Sequence, residues 1–170
     1  MDDFRTAPSD ALPFADGELN GYVAVVVYQH LQHPRPSLAE AWRVLGDGGR
    51  VVLADVENDL WAIDSDEQPI VRRMVRAFAD TVANPWIGRS FRSLLLEAGF
   101  IQVTVELRSL VFTSYADAAP GLKAMTAAAV ASGDITRQRA DSWLAEQERR
   151  DTEGRLFAAI PAFFATARRP

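Results

Sequence analysis

The sequence predicts an α/β fold, and three observations predict it. GYVAVVVY (21–28) and RVVLADV (50–56) are apolar on both alternating faces and rich in valine, as strands covered on both sides of a parallel sheet are. Between them Leu38, Trp42 and Leu45 recur at helical spacing. The helix leads into GDGG (46–49), a tight turn before the second strand. Strand, helix, turn and strand together take about 36 residues, the size of a βαβ unit, whose crossover is right-handed and whose strands are parallel.

The elements follow in order. Residues 1–20 carry the turn formers Pro8, Pro13, Gly17 and Asn20 and read as a lead-in loop; 21–170 form the α/β body of a single domain. Pro34 and Pro36 break the chain after the first strand. Ser37 with Glu40 makes a capping box for the helix that follows. Ile70, Val71, Met74, Val75, Phe78 and Val82 repeat at helical spacing after Pro69, and Pro85 closes that helix. Ser90 caps a shorter helix ending at Gly99. Ile101, Val103, Val105 and Leu107 alternate with polar residues, giving a half-exposed strand over 101–112 near a sheet edge. Residues 116–150 are helical with a break at Gly133–Asp134, and 156–167 form a last strand in which Pro161 demands a bulge or an unpaired position.

Composition excludes several function classes. The chain has 170 residues, enough for one domain with a real core, and its 18 basic against 23 acidic residues give a net charge of −5. That balance argues against nucleic acid or an acidic membrane held by bulk electrostatics. Zero cysteines exclude a disulfide scaffold, a thiolate zinc site and a cysteine nucleophile. No apolar run reaches the roughly 18 residues of a membrane span. MDDFRTAPSD is too acidic and polar for a signal peptide, so a cytoplasmic protein is expected.

The chemical signals are few. GDGGR (46–50) closes a helix and opens a strand, the reverse of a phosphate-binding glycine turn, so it reads as a helix end. The acidic stretch Asp55, Glu57, Asp59, Asp64, Asp66, Glu67 lacks the glycine and distal glutamate of a calcium loop and reads as a solvated loop beyond a strand end. Ligands bind at the carboxyl ends of parallel strands, so Asp55 and Glu57 are candidates for a site. His30 and His33 lie just beyond the first strand with no third metal ligand in view; His30 is either a general base in a cleft or a hydrogen-bonded structural histidine. NPWIGR (84–89) places Trp86 and Arg89 on a loop before a helix, as a pocket wall or as a packed corner. Serine-hydrolase G-x-S-x-G and zincin H-E-x-x-H patterns are missing.

As an ordered block, LPFADGELN (12–20), the QHLQHP turn (29–34), WRVLGDGG (42–49) and RVVLADV (50–56) resemble the middle of a class I S-adenosylmethionine-dependent methyltransferase of the type-11 group. IGRSFRSLLLEAGFIQVTVE (87–106) is similar to the helix and sixth strand of that family, and LFAAIPAFFATARRP (156–170) to its antiparallel last strand. The resemblance implies a Rossmann-like methyltransferase fold, represented here by its C-terminal half. The first three strands of the family and their glycine-rich cofactor loop have no counterpart among these residues. It implies S-adenosylmethionine as cofactor, with Val25, Val26 and Gln29 on the cofactor side, His30 as a base toward the acceptor, and Trp86 and Arg89 against a small-molecule substrate. It also leaves strand 21–28 as an exposed edge through which two copies can pair. Two other functions are open: a non-catalytic methyltransferase-like module that dimerises or binds a partner, and a small-molecule pocket without transfer chemistry.

Overall fold

The computed structural model describes residues 4–170, in which five strands, five α-helices and a short 3-10 turn divide between two compact units. Of the expected lead-in loop, residues 1–3 lie outside the described residues.

The first unit takes the chain up to Asp55, Ile87–Leu107 and Phe163–Pro170. Its sheet begins with β1 (Leu19–Val25) beside β2 (Leu45–Val56), paired in parallel as the crossover argument requires. Gly21 faces Arg50 while Leu19 faces Leu45, so three extra residues of β2 bulge out within GDGG. The glycines therefore sit inside a strand, with Gly48 at φ 72°, and do not end the helix as expected. That helix, α1 (Pro34–Val44), passes straight into β2. The start of β2 also meets the end of β5 (Ala158–Arg168): Arg169 N–H donates to Gly49 O at 2.9 Å and its guanidinium covers the Trp42 ring at 3.9 Å.

The capping box does not form. α1 begins three residues earlier, at Pro34, because proline suits the first turn, and Ser37 is already a buried helical residue bonded to Ser9. Glu40 instead accepts the Leu12 N–H at 2.7 Å and pairs with Arg43, which also reaches Asp16 at 2.6 Å. The lead-in segment is thereby strapped to α1. α3 (Ile87–Glu97) likewise begins before Ser90, which lies within its first turn. α1 and α3 cover one face of the sheet, burying Leu38, Phe91, Leu94 and Leu95 against Ala24, Val51, Leu53, Ala165 and Ala167.

The second unit takes Val56–Trp86 and Arg108–Ala162. α2 (Gln68–Ala79) packs on α4 (Tyr115–Ser132), and α4 on α5 (Arg137–Thr152), around Met74, Leu122, Met125 and Trp143. Gly133 at φ 82° ends α4 and Thr136 caps α5, the break the sequence places at 133–134. A two-residue strand, β3 (Ala62–Ile63), pairs antiparallel with Ala158 and Ala159 of β5. Pro161 gives its carbonyl to the Glu57 N–H at 3.0 Å. Arg150, its side chain 3% exposed, gathers Glu146, Asp64 and Asp66 at 2.8, 2.6 and 2.6 Å.

β4 (Ile101–Phe112) pairs with β5 and contributes residues to both units. The alternation of β4 predicts one buried face, yet Ile101, Val105, Leu107 and Val111 are all exposed. No helix among the described residues is long and apolar enough to cross a membrane.

Candidate functional site

In the first unit the carboxyl ends of β1 and β2 carry the residues expected on the cofactor side. β1 is valine-rich and would run on as a strand, but it stops at Val25 because Val26 turns into the left-handed region at φ 56°. A β-branched residue rarely adopts that conformation, and such strain persists only where surrounding contacts enforce it. The contacts are on both sides: Val26 N–H donates to Ala54 O at 2.8 Å, and the next residues wind into a 3-10 turn, Tyr28–His30. The Gln29 N–H donates to Asp55 Oδ2 at 3.1 Å, so a buried carboxylate from the end of β2 holds the turn.

The turn is anchored from below by Tyr28, fully buried edge-on to Phe91 at 6.1 Å. Burial, with Tyr22 beside it, pushes the Tyr28 hydroxyl far above the ordinary tyrosine range, so it stays protonated and structural. Val25 and Val26 remain 58% and 47% exposed, Gln29 is buried, and His30 is exposed. The structure thus gathers Val25, Val26, Gln29 and His30 on one strand end, with Asp55 tied to them. His33 stands apart from that group as the residue preceding α1.

Trp86 belongs to the second unit and Arg89 to the first, where it is exposed in the first turn of α3. Trp86 is held by its own hydrogen bond, Nε1–H to Asp59 Oδ2 at 2.7 Å, while its ring is 52% exposed. It lines a cavity of about 620 Å³ formed wholly within the second unit. Ile63, Val71, Val75 and Ala79 supply apolar surface there, and Trp61, Arg72, Arg76 and Asp80 add aromatic and charged groups. Sequence reasoning missed this set. Trp61 follows an acidic loop, and Arg72 and Arg76 read as the solvated face of an amphipathic helix; their spacing of four, which puts both on one face, was the available signal. Glu57 is fully buried at the start of this unit, its N–H on Pro161 O.

Comparison with known proteins agrees with the fold. Residues 2–53 match a family model described as a methyltransferase domain. An uncharacterized 37.1 kDa protein in a transposon of Streptomyces fradiae is 33% identical over 159 residues, 92% of this chain and 45% of its own length. An O-methyltransferase of Penicillium expansum is 30% identical over 102 residues, 60% of this chain and 35% of its own length. The chain thus spans about half, or less, of the length of the curated relatives it matches. Among solved structures, an S-adenosylmethionine-dependent methyltransferase of Methanosarcina mazei superposes with a TM-score of 0.53 at 14% identity, over 98% of this chain and 66% of that one. At that identity the likeness shows the fold alone: the mixed five-stranded sheet with flanking helices is Rossmann-like, as in that structure.

Proposed function

We propose that this chain is of the class I S-adenosylmethionine-dependent methyltransferase family and serves methyl transfer to a small molecule. The observation that supports this most is the strained end of β1. Val26, within the 2–53 segment that matches the family model, is held at φ 56° by its N–H bond to Ala54 O, next to a turn fastened by Asp55; both acceptors lie just past that segment. Strain of this kind gathers where a chain must present groups in one geometry.

The residues present suit part of such a cofactor. Val25 and Val26 offer an exposed apolar shelf for a flat base, and the Gln29–Asp55 contact keeps the shelf in place. S-adenosylmethionine, when bound, supplies an electrophilic methyl group on a sulfonium. His30 is exposed at the same strand end, and a ring nitrogen there can take the proton that an O–H or N–H acceptor loses as it is methylated. In-line displacement needs little more than alignment and exclusion of water.

Calorimetry with S-adenosylmethionine tests the reading. Heat of binding at millimolar ligand, weakened in Val26→Asp, supports it; a flat titration overturns it for this chain.

A second reading rests on a separate observation. Among the described residues β1 pairs with β2 alone and lies at the end of the sheet path, and its Val23 and Val25 are 67% and 58% exposed. A valine-rich edge with unpaired N–H and C=O groups is a template for another strand, so two copies pair through β1 and the chain acts as a dimerising module. A solution mass of one chain by light scattering at 100 µM would exclude it.

A further inference from the structure

We infer that the cavity of the second unit binds a planar aromatic molecule carrying a single carboxylate, held between indole surfaces and a pair of guanidinium groups. As the site of a methyl acceptor it rests on the reading above; as a binding site it does not.

The volume, about 620 Å³, falls within the range of roughly 300–1,000 Å³ typical of small-molecule sites. Its apolar part comes from α2, where Val71, Val75 and Ala79 lie one turn apart and are buried. Arg72 and Arg76 occupy the neighbouring row of the same helix, also one turn apart, and both line the cavity. Among the described residues neither guanidinium is paired with a carboxylate, whereas Arg73 between them reaches Asp134 O and Arg139 is paired with Glu67. Two unpaired guanidiniums beside an apolar surface form a fork for an anion.

The aromatic walls are held in place. The Trp61 ring stacks on Phe112, centroids 5.8 Å apart at 21°, and packs so closely on Gly121 that a Cβ there would lie 3.0 Å from the indole. Its Nε1–H is buried and has no acceptor among the described residues, so the ring, and not its polar edge, is what Trp61 offers the cavity. Trp86 is pinned by Asp59 yet leaves its ring open, so it serves contact with something outside the fold. Rigid indoles favour flat π-systems at little entropic cost.

Charge selects the anion. The two guanidiniums match the two oxygens of one carboxylate, while Asp59 and Asp80 in the same lining bring its net charge to zero and repel a dianion more strongly than a monoanion. A carboxylate is such a monoanion and a phosphate monoester is not.

Calorimetry of the full chain without cofactor is the test, comparing 2-naphthoate, its neutral isostere 2-naphthamide, and 2-naphthyl phosphate. The carboxylate should bind at least about 10-fold tighter than the amide, the preference of a charge-assisted fork. Arg72→Gln with Arg76→Gln should abolish that preference while the amide affinity stays put. Trp86→Leu should weaken carboxylate and amide alike. The inference is overturned if the amide binds as well as the carboxylate, if the phosphate binds best, if the double variant keeps the preference, or if none of the probes binds at millimolar concentration. Failure to bind S-adenosylmethionine would sink the methyl-transfer reading and leave these outcomes unchanged.

Discussion

The Asp55 carboxylate accepts the backbone N–H of Gln29 at 3.1 Å, which fastens the turn after β1 to the end of β2. Both groups are buried, so removing the acceptor leaves an N–H unsatisfied at a cost of about 1–3 kcal/mol. Asp55→Ala should lower stability by that amount and speed amide exchange at Gln29. Asp55→Asn keeps an acceptor and should lose less. Equal losses in the two variants by chemical denaturation would show that this bond does not hold the turn.

Gly88 stands against Phe163: a Cβ on it would lie 2.6 Å from the ring and 2.9 Å from Phe163 Cβ. Alanine ordinarily stabilises a helix over glycine by about 1 kcal/mol. Here the clash prevails, and Gly88→Ala should destabilise by roughly 1–3 kcal/mol. Adding Phe163→Leu should restore part of the loss, measured as a double-mutant cycle in urea.

Arg150 is buried and ringed by Glu146, Asp64 and Asp66. Burial pulls its pKa down, but the three carboxylates more than offset that and the group stays charged. Arg150→Ala should cost about 2–4 kcal/mol, since it strands Glu146 in a nearly buried position. Arg150→Met keeps the packing of the stem and should cost less. Denaturant midpoints decide between these outcomes.

Glu40 is held below the ordinary glutamate range, chiefly by its hydrogen bond to Arg43 and further by the Leu12 N–H. A depressed carboxylate contributes its stabilisation in full above its unfolded value, about 4.3, and loses it as pH falls through the lower folded value. The urea midpoint of the native chain should therefore fall on going from pH 5 to pH 3, and Glu40→Gln should show a shallower fall. Parallel curves would exclude Glu40 as the source.

Much of the fold was legible because periodicity and breakers act locally. The valines of 21–25 and 50–56 report strands, and the stripe from Ile70 to Phe78 reports α2. Helix starts were misplaced where distant groups decide them. Ser37 reads as a cap until Ser9 takes its hydroxyl, and Glu40 as a capping partner until Leu12 takes its carboxylate. GDGG reads as a helix end because nothing local shows that β1 will pair with β2 on both sides of it. The strand end with Val25, Val26 and Gln29 was legible as the carboxyl end of a parallel strand, although the strain at Val26 was not. The cavity escaped because Trp61, Arg72 and Trp86 are spread over 26 positions and only the tertiary fold sets them along one wall.

Val26 also marks where this chain can be re-engineered. Its branched side chain sits in a backbone conformation that glycine adopts freely, so Val26→Gly exchanges a stored deformation for looseness at the strand end. Such a variant should melt at or above the temperature of the native chain while its turn samples several shapes instead of one. The valine would then be a residue retained for geometry against the preference of the backbone, a trade of robustness for a fixed presentation.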